Sequence, residues 1–248
     1  MPEETVIKVR GLKAAYGDDV ILENINFDVR RGEIFVILGG SGCGKSTLLK
    51  HMIGLYEPLE GSVVINGTDI ITAFGQQRTE LIKSFGVMYQ NGALFGSMTV
   101  LENLRLPLEE FTELPKEIMD SICLSRLKLV GLEDTGGLMP AELSGGMKKR
   151  VAIARAMVLD PTIIFLDEPS AGLDPISSVE LDRLIKRLAR TLGITFVVVT
   201  HELESIFTIA DRVIMLDKQT KGIVAQGDPV ELKEKSQDPW VRKFFNRE

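Results

Sequence analysis

The sequence predicts an α/β fold: a largely parallel sheet flanked by helices, an antiparallel β unit near the start, and a helical insert. Three observations lead there. Short β-branched runs alternate with amphipathic stretches of helical period, as strands and crossover helices do. The earliest strands are joined by short polar turns, such as that at 16–19, instead of by helices. The segment 91–145 then breaks the alternation with helical patterns alone.

Strands are expected at 5–10, 25–30, 34–38, 62–66, 85–89, 162–166, 194–199, 212–217 and 222–226. The continuous apolar runs at 34–38 and 196–199 suit strands covered on both faces, and both are far too short to span a bilayer. Helices are expected at 45–54, 99–109, 116–130, 145–159, 176–192 and 202–210. No internal repeat, heptad run or low-complexity linker interrupts them. The chain therefore reads as one domain. Its catalytic core with the β unit takes 1–90 and 146–228, the helical subdomain 91–145, and a small polar and aromatic tail 229–248.

Composition narrows the class. With 248 residues, 44% apolar and 26% charged, this is an ordinary globular chain. A formal net charge of −6 argues against a surface that grips nucleic acid or an anionic membrane unaided. Two distant cysteines, Cys43 and Cys123, and two histidines, His51 and His201, make neither a disulfide framework nor a zinc cluster. The opening residues carry acid and no apolar core of a signal peptide, and direct membrane insertion is not expected.

The run 34–49 carries the first chemistry. Gly39, four residues, then Gly44, Lys45 and Ser46 form a G-x-x-x-x-G-K-[ST] loop between an apolar strand and a helical run. Across Gly39, Gly40, Ser41, Gly42, Cys43 and Gly44, the backbone can curl its N–H groups onto the α- and β-phosphates of a nucleotide, with the following helix dipole aimed the same way. Lys45 offers a mobile charge to the β- and γ-phosphates, Ser46 a hydroxyl to Mg²⁺, and Thr47 support for the α-phosphate. Far downstream, the apolar run 162–166 ends in Asp167 and Glu168. A carboxylate at a strand's C-terminal end holds Mg²⁺, and the next one can orient the attacking water. Together these imply a nucleoside triphosphate and Mg²⁺.

Leu143-Ser144-Gly145-Gly146-Met147 stands between the two motifs, and here the chain resembles the ABC ATPases, whose signature is LSGGQ. The resemblance runs over essentially the whole chain and implies an ABC-type, RecA-like P-loop NTPase fold. Ser144 caps a helix whose first-turn N–H groups are left open by Gly145 and Gly146, an arrangement suited to an anion. Met147 departs from the signature and cannot donate as glutamine does. The family pattern further implies adenine stacking by Tyr16, a Mg²⁺- and water-sensing Gln90, a loop ending in Asp174 that touches the opposite subunit, and a γ-phosphate contact from His201. It implies two copies closing head to tail around ATP, with a membrane permease docked on the helical insert. His51 reads as packing.

Within that family, Gly92-Ala93-Leu94-Phe95, Thr99, Val100, Asn103 and Pro107-Leu108 look like the ATPases of MCE-associated lipid transporters of the Mla type. The methionine at 147 and the tail from Asp238 to Phe244 are similar to that branch too. This resemblance implies phospholipid movement between inner and outer membranes, from the cytoplasmic side of the bacterial inner membrane. An MCE-domain lipid-binding protein and accessory subunits are the implied partners. An ABC transporter ATPase for another substrate, and a non-transport ABC ATPase such as an iron–sulfur assembly scaffold subunit, stay open at this point.

Overall fold

The computed structural model describes residues 4–17 and 19–246; Asp18 of the expected 16–19 turn and the last two residues of the tail lie outside them. A six-stranded sheet forms the centre, in the order β10, β9, β3, β8, β7, β6. Strands β3 (Ile34–Gly39), β6 (Phe85–Met88), β7 (Ile163–Asp167), β8 (Thr195–Val199) and β9 (Arg212–Leu216) run parallel, and β10 (Ile223–Gly227) returns antiparallel on the β9 edge. Every residue of β3, β7 and β8 is buried, which is why these strands read as unbroken apolar runs.

The two faces of this sheet divide the core. Along β3, Ile34, Val36 and Leu38 point into one apolar cluster, while Phe35 and Ile37 point into the other. The first cluster lies under the helices α3 (Val100–Phe111), α4 (Lys116–Leu129), α5 (Gly145–Ala156) and α6 (Pro175–Leu192). The second joins α1 (Lys45–Met52) to an antiparallel sheet ordered β2 (Asp19–Arg30), β1 (Thr5–Tyr16), β4 (Glu60–Ile65) and β5 (Thr68–Asp69). The fold is therefore the α/β P-loop NTPase type, with its antiparallel unit beside the parallel core.

Several boundaries differ from the sequence expectation. β1 does not stop at 10 but runs to Tyr16, because a register shift between Val9 and Leu12 takes up Gly11, whose φ is +56. α1 ends at Met52 and α5 at Ala156, each shorter than its apolar pattern. The helix α2 (Gly75–Lys83) was not expected at all; only Leu81 of it is buried, so no apolar stripe marks it. After α7 (Leu203–Ile209), the tail holds two helices, α8 (Pro229–Lys235) and α9 (Pro239–Asn246). α8 starts where Asp228 accepts from the Val230 and Glu231 N–H groups, with Pro229 at the first helical position.

In the insert, Asn103 is fully buried on α3. Its amide accepts from the Phe95 N–H and donates to the carbonyls of Phe95, Met98 and Thr99, fixing the loop that enters the helix. His51 is buried against the Tyr56 carbonyl at 3.0 Å, and burial lowers its pKa, as a packing residue requires. Cys43 and Cys123 are both free and buried. No helix among the described residues is long and apolar enough to cross a membrane.

One contact sets how closely α5 approaches the sheet. A Cβ added to Gly86 on β6 would come within 2.0 Å of the Ala156 carbonyl oxygen, which is backbone and cannot swing aside. Gly86→Ala is expected to destabilise the protein by about 2 kcal/mol through this overpacking, read as a lower denaturation midpoint with an unchanged m-value.

Candidate active site

The parallel register brings the C-terminal ends of β3, β6, β7 and β8 to one edge, where an open cleft of 660 Å³ is lined by Gly39, Gly40, Ser41, Gly42, Gly44, Lys45, Ser46, Thr47, Gln90, Glu168 and His201, with Tyr16, Ile21 and Phe244 beside them. The loop after β3 turns through Gly42 at φ +75 and Gly44 at φ +99 into α1. Two of its glycines are needed for space as well. A Cβ on Gly39 would meet the Leu216 carbonyl at 2.4 Å, and one on Gly44 would meet Leu22 at 2.8 Å. Cys43 lies behind the loop, its sulfur toward Gly39 and outside the cleft lining. Lys45 is buried and folds back over the loop, donating to the carbonyls of Gly39 at 2.9 Å and Gly40 at 3.2 Å.

Ser46, in the first turn of α1, donates to Asp167 Oδ1 at 3.0 Å across the gap between β3 and β7. Burial raises the Asp167 pKa, against the lowering effect of the Ser46 hydrogen bond. A hydroxyl and a carboxylate at this spacing are a pair of hard oxygens that suits Mg²⁺. Among the described residues there is no group of three or more His, Cys, Asp or Glu side chains able to cage a metal.

Glu168 follows directly and is held in a demanding conformation. Its φ is +47, a left-handed value that costs a residue with a side chain roughly 1–3 kcal/mol. Its backbone is pinned on both sides: its N–H donates to the Val199 carbonyl at 2.8 Å and its carbonyl accepts from the Ala171 N–H at 3.2 Å. The carboxyl is 8% exposed at the residue level; Oε1 lies 2.9 Å from His201 Nδ1, and Oε2 is buried without a partner. Glu168 lines the cleft, and an unpaired buried carboxylate oxygen keeps a free capacity to accept a hydrogen bond. Tyr16, half exposed, places its hydroxyl 3.4 Å from Thr47 Oγ1 and its ring edge-on to Tyr56.

Cys43 and Asp167 adjoin the cleft without lining it, and four further expected site residues lie away from it. Ser144, Gly145 and Gly146 open α5 elsewhere on the surface, where Ser144 Oγ accepts from the Met147 N–H at 3.2 Å. Gly145 has a packing reason of its own, since a Cβ there would press Leu173 at 3.3 Å; Gly146 would meet Ser177 only at ordinary contact, 3.5 Å. Asp174 caps α6, accepting from Ile176 N–H and Ser177 N–H and from Ser177 Oγ at 2.6 Å, hydrogen bonds that hold its pKa down.

The structure adds residues that sequence reasoning did not place here. Phe244 of α9 lines the cleft, and Trp240 lies against Gly40, where a Cβ would touch the indole at 3.6 Å. Val241 and Phe245 of the same helix are buried, so the tail packs on the core of its own chain. Lys149 on α5 donates to the Gln90 carbonyl and, at 3.4 Å, to the Glu168 carbonyl. Its signal in the sequence is a lysine on the apolar stripe of a helix, three and four residues before Ala152 and Ile153.

Comparison with known proteins shows the family. The family profile described as "ABC transporter" matches residues 22–171. The chain is 42% identical over 246 residues to the probable ribonucleotide transport ATP-binding protein mkl of Mycobacterium leprae, covering 99% of this chain and 70% of that one. It is 40% identical over 245 residues to the intermembrane phospholipid transport system ATP-binding protein MlaF of Haemophilus influenzae, covering 99% and 92%. Among solved structures, the dimeric post-hydrolysis state of the ATP-binding cassette MJ0796, bound to ADP and Pi, superposes with a TM-score of 0.80 at 31% identity over 90% of this chain and 98% of that one. With Lys45, Ser46, Asp167, Glu168 and His201 gathered on one strand edge, the chain belongs to the ABC transporter family, as an ATP-binding and ATP-hydrolysing subunit.

Proposed function

We propose that two copies of this chain close head to tail on two ATP molecules and drive phospholipid movement between inner and outer membranes, from the cytoplasmic face of a membrane permease. The observation that carries the lipid reading is the likeness to the Haemophilus phospholipid transport ATP-binding protein, which extends over 99% of this chain and 92% of that one. The ribonucleotide name of the mycobacterial relative competes at similar identity, but this chain spans only 70% of that protein. The insert around Leu94, Phe95 and Asn103, the methionine at 147 and the Asp238–Phe244 tail support the lipid reading.

In the mechanism, the loop from Gly39 to Gly44 orients the phosphates, and Lys45 leaves its carbonyl contacts to meet the β- and γ-oxygens. Ser46, Asp167 and Gln90 would hold Mg²⁺, which when bound would supply charge neutralisation for the transferred phosphate. Glu168 accepts a hydrogen bond from the attacking water at Oε2, and His201, on Oε1, keeps the carboxylate aimed and faces the γ-phosphate. The exposed helix start at Ser144, Gly145 and Gly146 meets the γ-phosphate held by the other copy, and the loop before Asp174 follows that contact. Catalysis is then positioning and charge stabilisation across a shared ligand. Removing the γ-phosphate releases the pair. The MCE-domain protein and accessory subunits complete the proposed assembly.

Glu168→Gln is expected to keep ATP affinity and lose about 10²- to 10⁴-fold in kcat, measured by phosphate release beside equilibrium ATP binding. Wild-type turnover in that variant removes Glu168 from its role. Because burial raises the Asp167 pKa, its carboxylate is lost to protonation at a higher pH than an exposed aspartate. The Mg²⁺-dependent part of ATP affinity should therefore weaken with falling pH sooner than an exposed aspartate would allow, and Asp167→Asn should abolish that part at every pH. For the cargo, ATPase activity of the chain assembled with its permease should rise with phospholipid and not with ribonucleotides; the reverse result selects the other reading.

A further inference from the structure

Lys149 is a buried cation with two unusual partners. It sits in the first turns of α5 at 7% exposure, on the stripe that carries Ala152 and Ile153 into the core. An ammonium in that position is costly unless its protons are used. They are directed at two carbonyls from separate motifs, that of Gln90 after β6 and that of Glu168 after β7, the latter at 3.4 Å. Burial pulls its pKa down, while Glu168, Glu202 and Asp167 push the other way.

A second cation on the same helix grips the same loop. Arg155 donates to the carbonyls of Gly92 and Ala93, both at 2.8 Å. Gly92 at φ +71 and Ala93 at φ +47 turn this segment out of any ladder, and the two side chains satisfy carbonyls that the irregular backbone leaves without strand partners. The loop 90–93 is thus held at three carbonyls by the helix that begins with Ser144–Gly146. Only Lys149 also reaches Glu168.

We propose that Lys149 is a positioning residue for hydrolysis: one ammonium holds the Gln90 loop and the Glu168 backbone at a set spacing from the helix that meets the second nucleotide. A shift of α5 is then passed to the water-orienting carboxylate without any contact between Lys149 and ATP. The geometry asks for an ammonium because its tetrahedral protons can serve two carbonyls that arrive from different strands. The planar amide of glutamine can serve one well, and methionine neither. The proposal rests on Glu168 orienting water.

The test uses the full chain assembled with its permease, in the variants Lys149→Gln, Lys149→Met and Lys149→Arg, each checked for folding by thermal unfolding. Lys149→Gln should lower kcat about tenfold while KM for ATP stays within about twofold, the pattern of an interaction that matters in the transition state alone. Lys149→Met should fall further, and Lys149→Arg, which keeps several donors, should recover most of the loss. In single-turnover measurements on a Glu168→Gln background, Lys149→Gln should add little, because the two act through one group. Unchanged kcat in Lys149→Gln overturns the proposal, as does a fully additive loss. If Lys149→Gln and Lys149→Arg both fail to fold, Lys149 is a structural strut and the proposal falls. Wild-type turnover in Glu168→Gln alone would instead sink the assignment of Glu168. An inert Glu168→Gln beside an unaffected Lys149→Gln removes Lys149 only.

Discussion

The parallel pairing of β3 with β8 and of β8 with β7 is the constraint on which the site depends. Ile37 and Asp167 both pair with Val199, so the Gly39–Gly44 loop, Asp167 and the segment leading to His201 leave the sheet at the same level. Nothing in the loops alone would bring Ser46 within 3.0 Å of Asp167, a residue 121 positions away. The two apolar clusters on the faces of the sheet hold that register, since a slip of one residue would exchange Phe35 and Ile37 with Val36 and Leu38. Core packing and phosphate chemistry are therefore one problem in this chain. The price of the site is local strain at Glu168, which the Val199 and Ala171 hydrogen bonds and the buried Lys149 contact offset.

The legible part of the fold is the part in which burial is extreme. Strands β3, β7 and β8 announce themselves as continuous apolar runs because both of their faces are covered. The long helix α6 shows a clear apolar stripe and a capping aspartate at its start. What could not be read is held by tertiary contacts. α2 has one buried residue, so its helical character leaves no periodic trace, and the second half of β1 lies beyond a glycine that would normally end a strand. The site divides in the same way. Lys45, Ser46 and Glu168 stand in short motifs whose spacing carries the chemistry, whereas Lys149 and Phe244 reach the cleft region only through the packing of α5 and α9.

The exposed start of α5 and the cleft lie on different parts of one chain, a separation that the proposed head-to-tail pairing would close. Ser144, Gly145 and Gly146 do not line the chain's own cleft. Gly145 has a local reason to be glycine, in its approach to Leu173, whereas a Cβ on Gly146 would meet Ser177 only at ordinary contact. Asp174 shows the same economy: it caps α6 within the chain and so fixes the loop that precedes it.

The docking of α9 also has an optical consequence. The chain contains one tryptophan, and that residue lies against Gly40 of the phosphate loop, with Phe244 of the same helix on the cleft wall. Partly exposed, the indole borders the backbone of that loop. The protein thus carries an intrinsic fluorophore at the rim of its own substrate site, with no second tryptophan to dilute the signal.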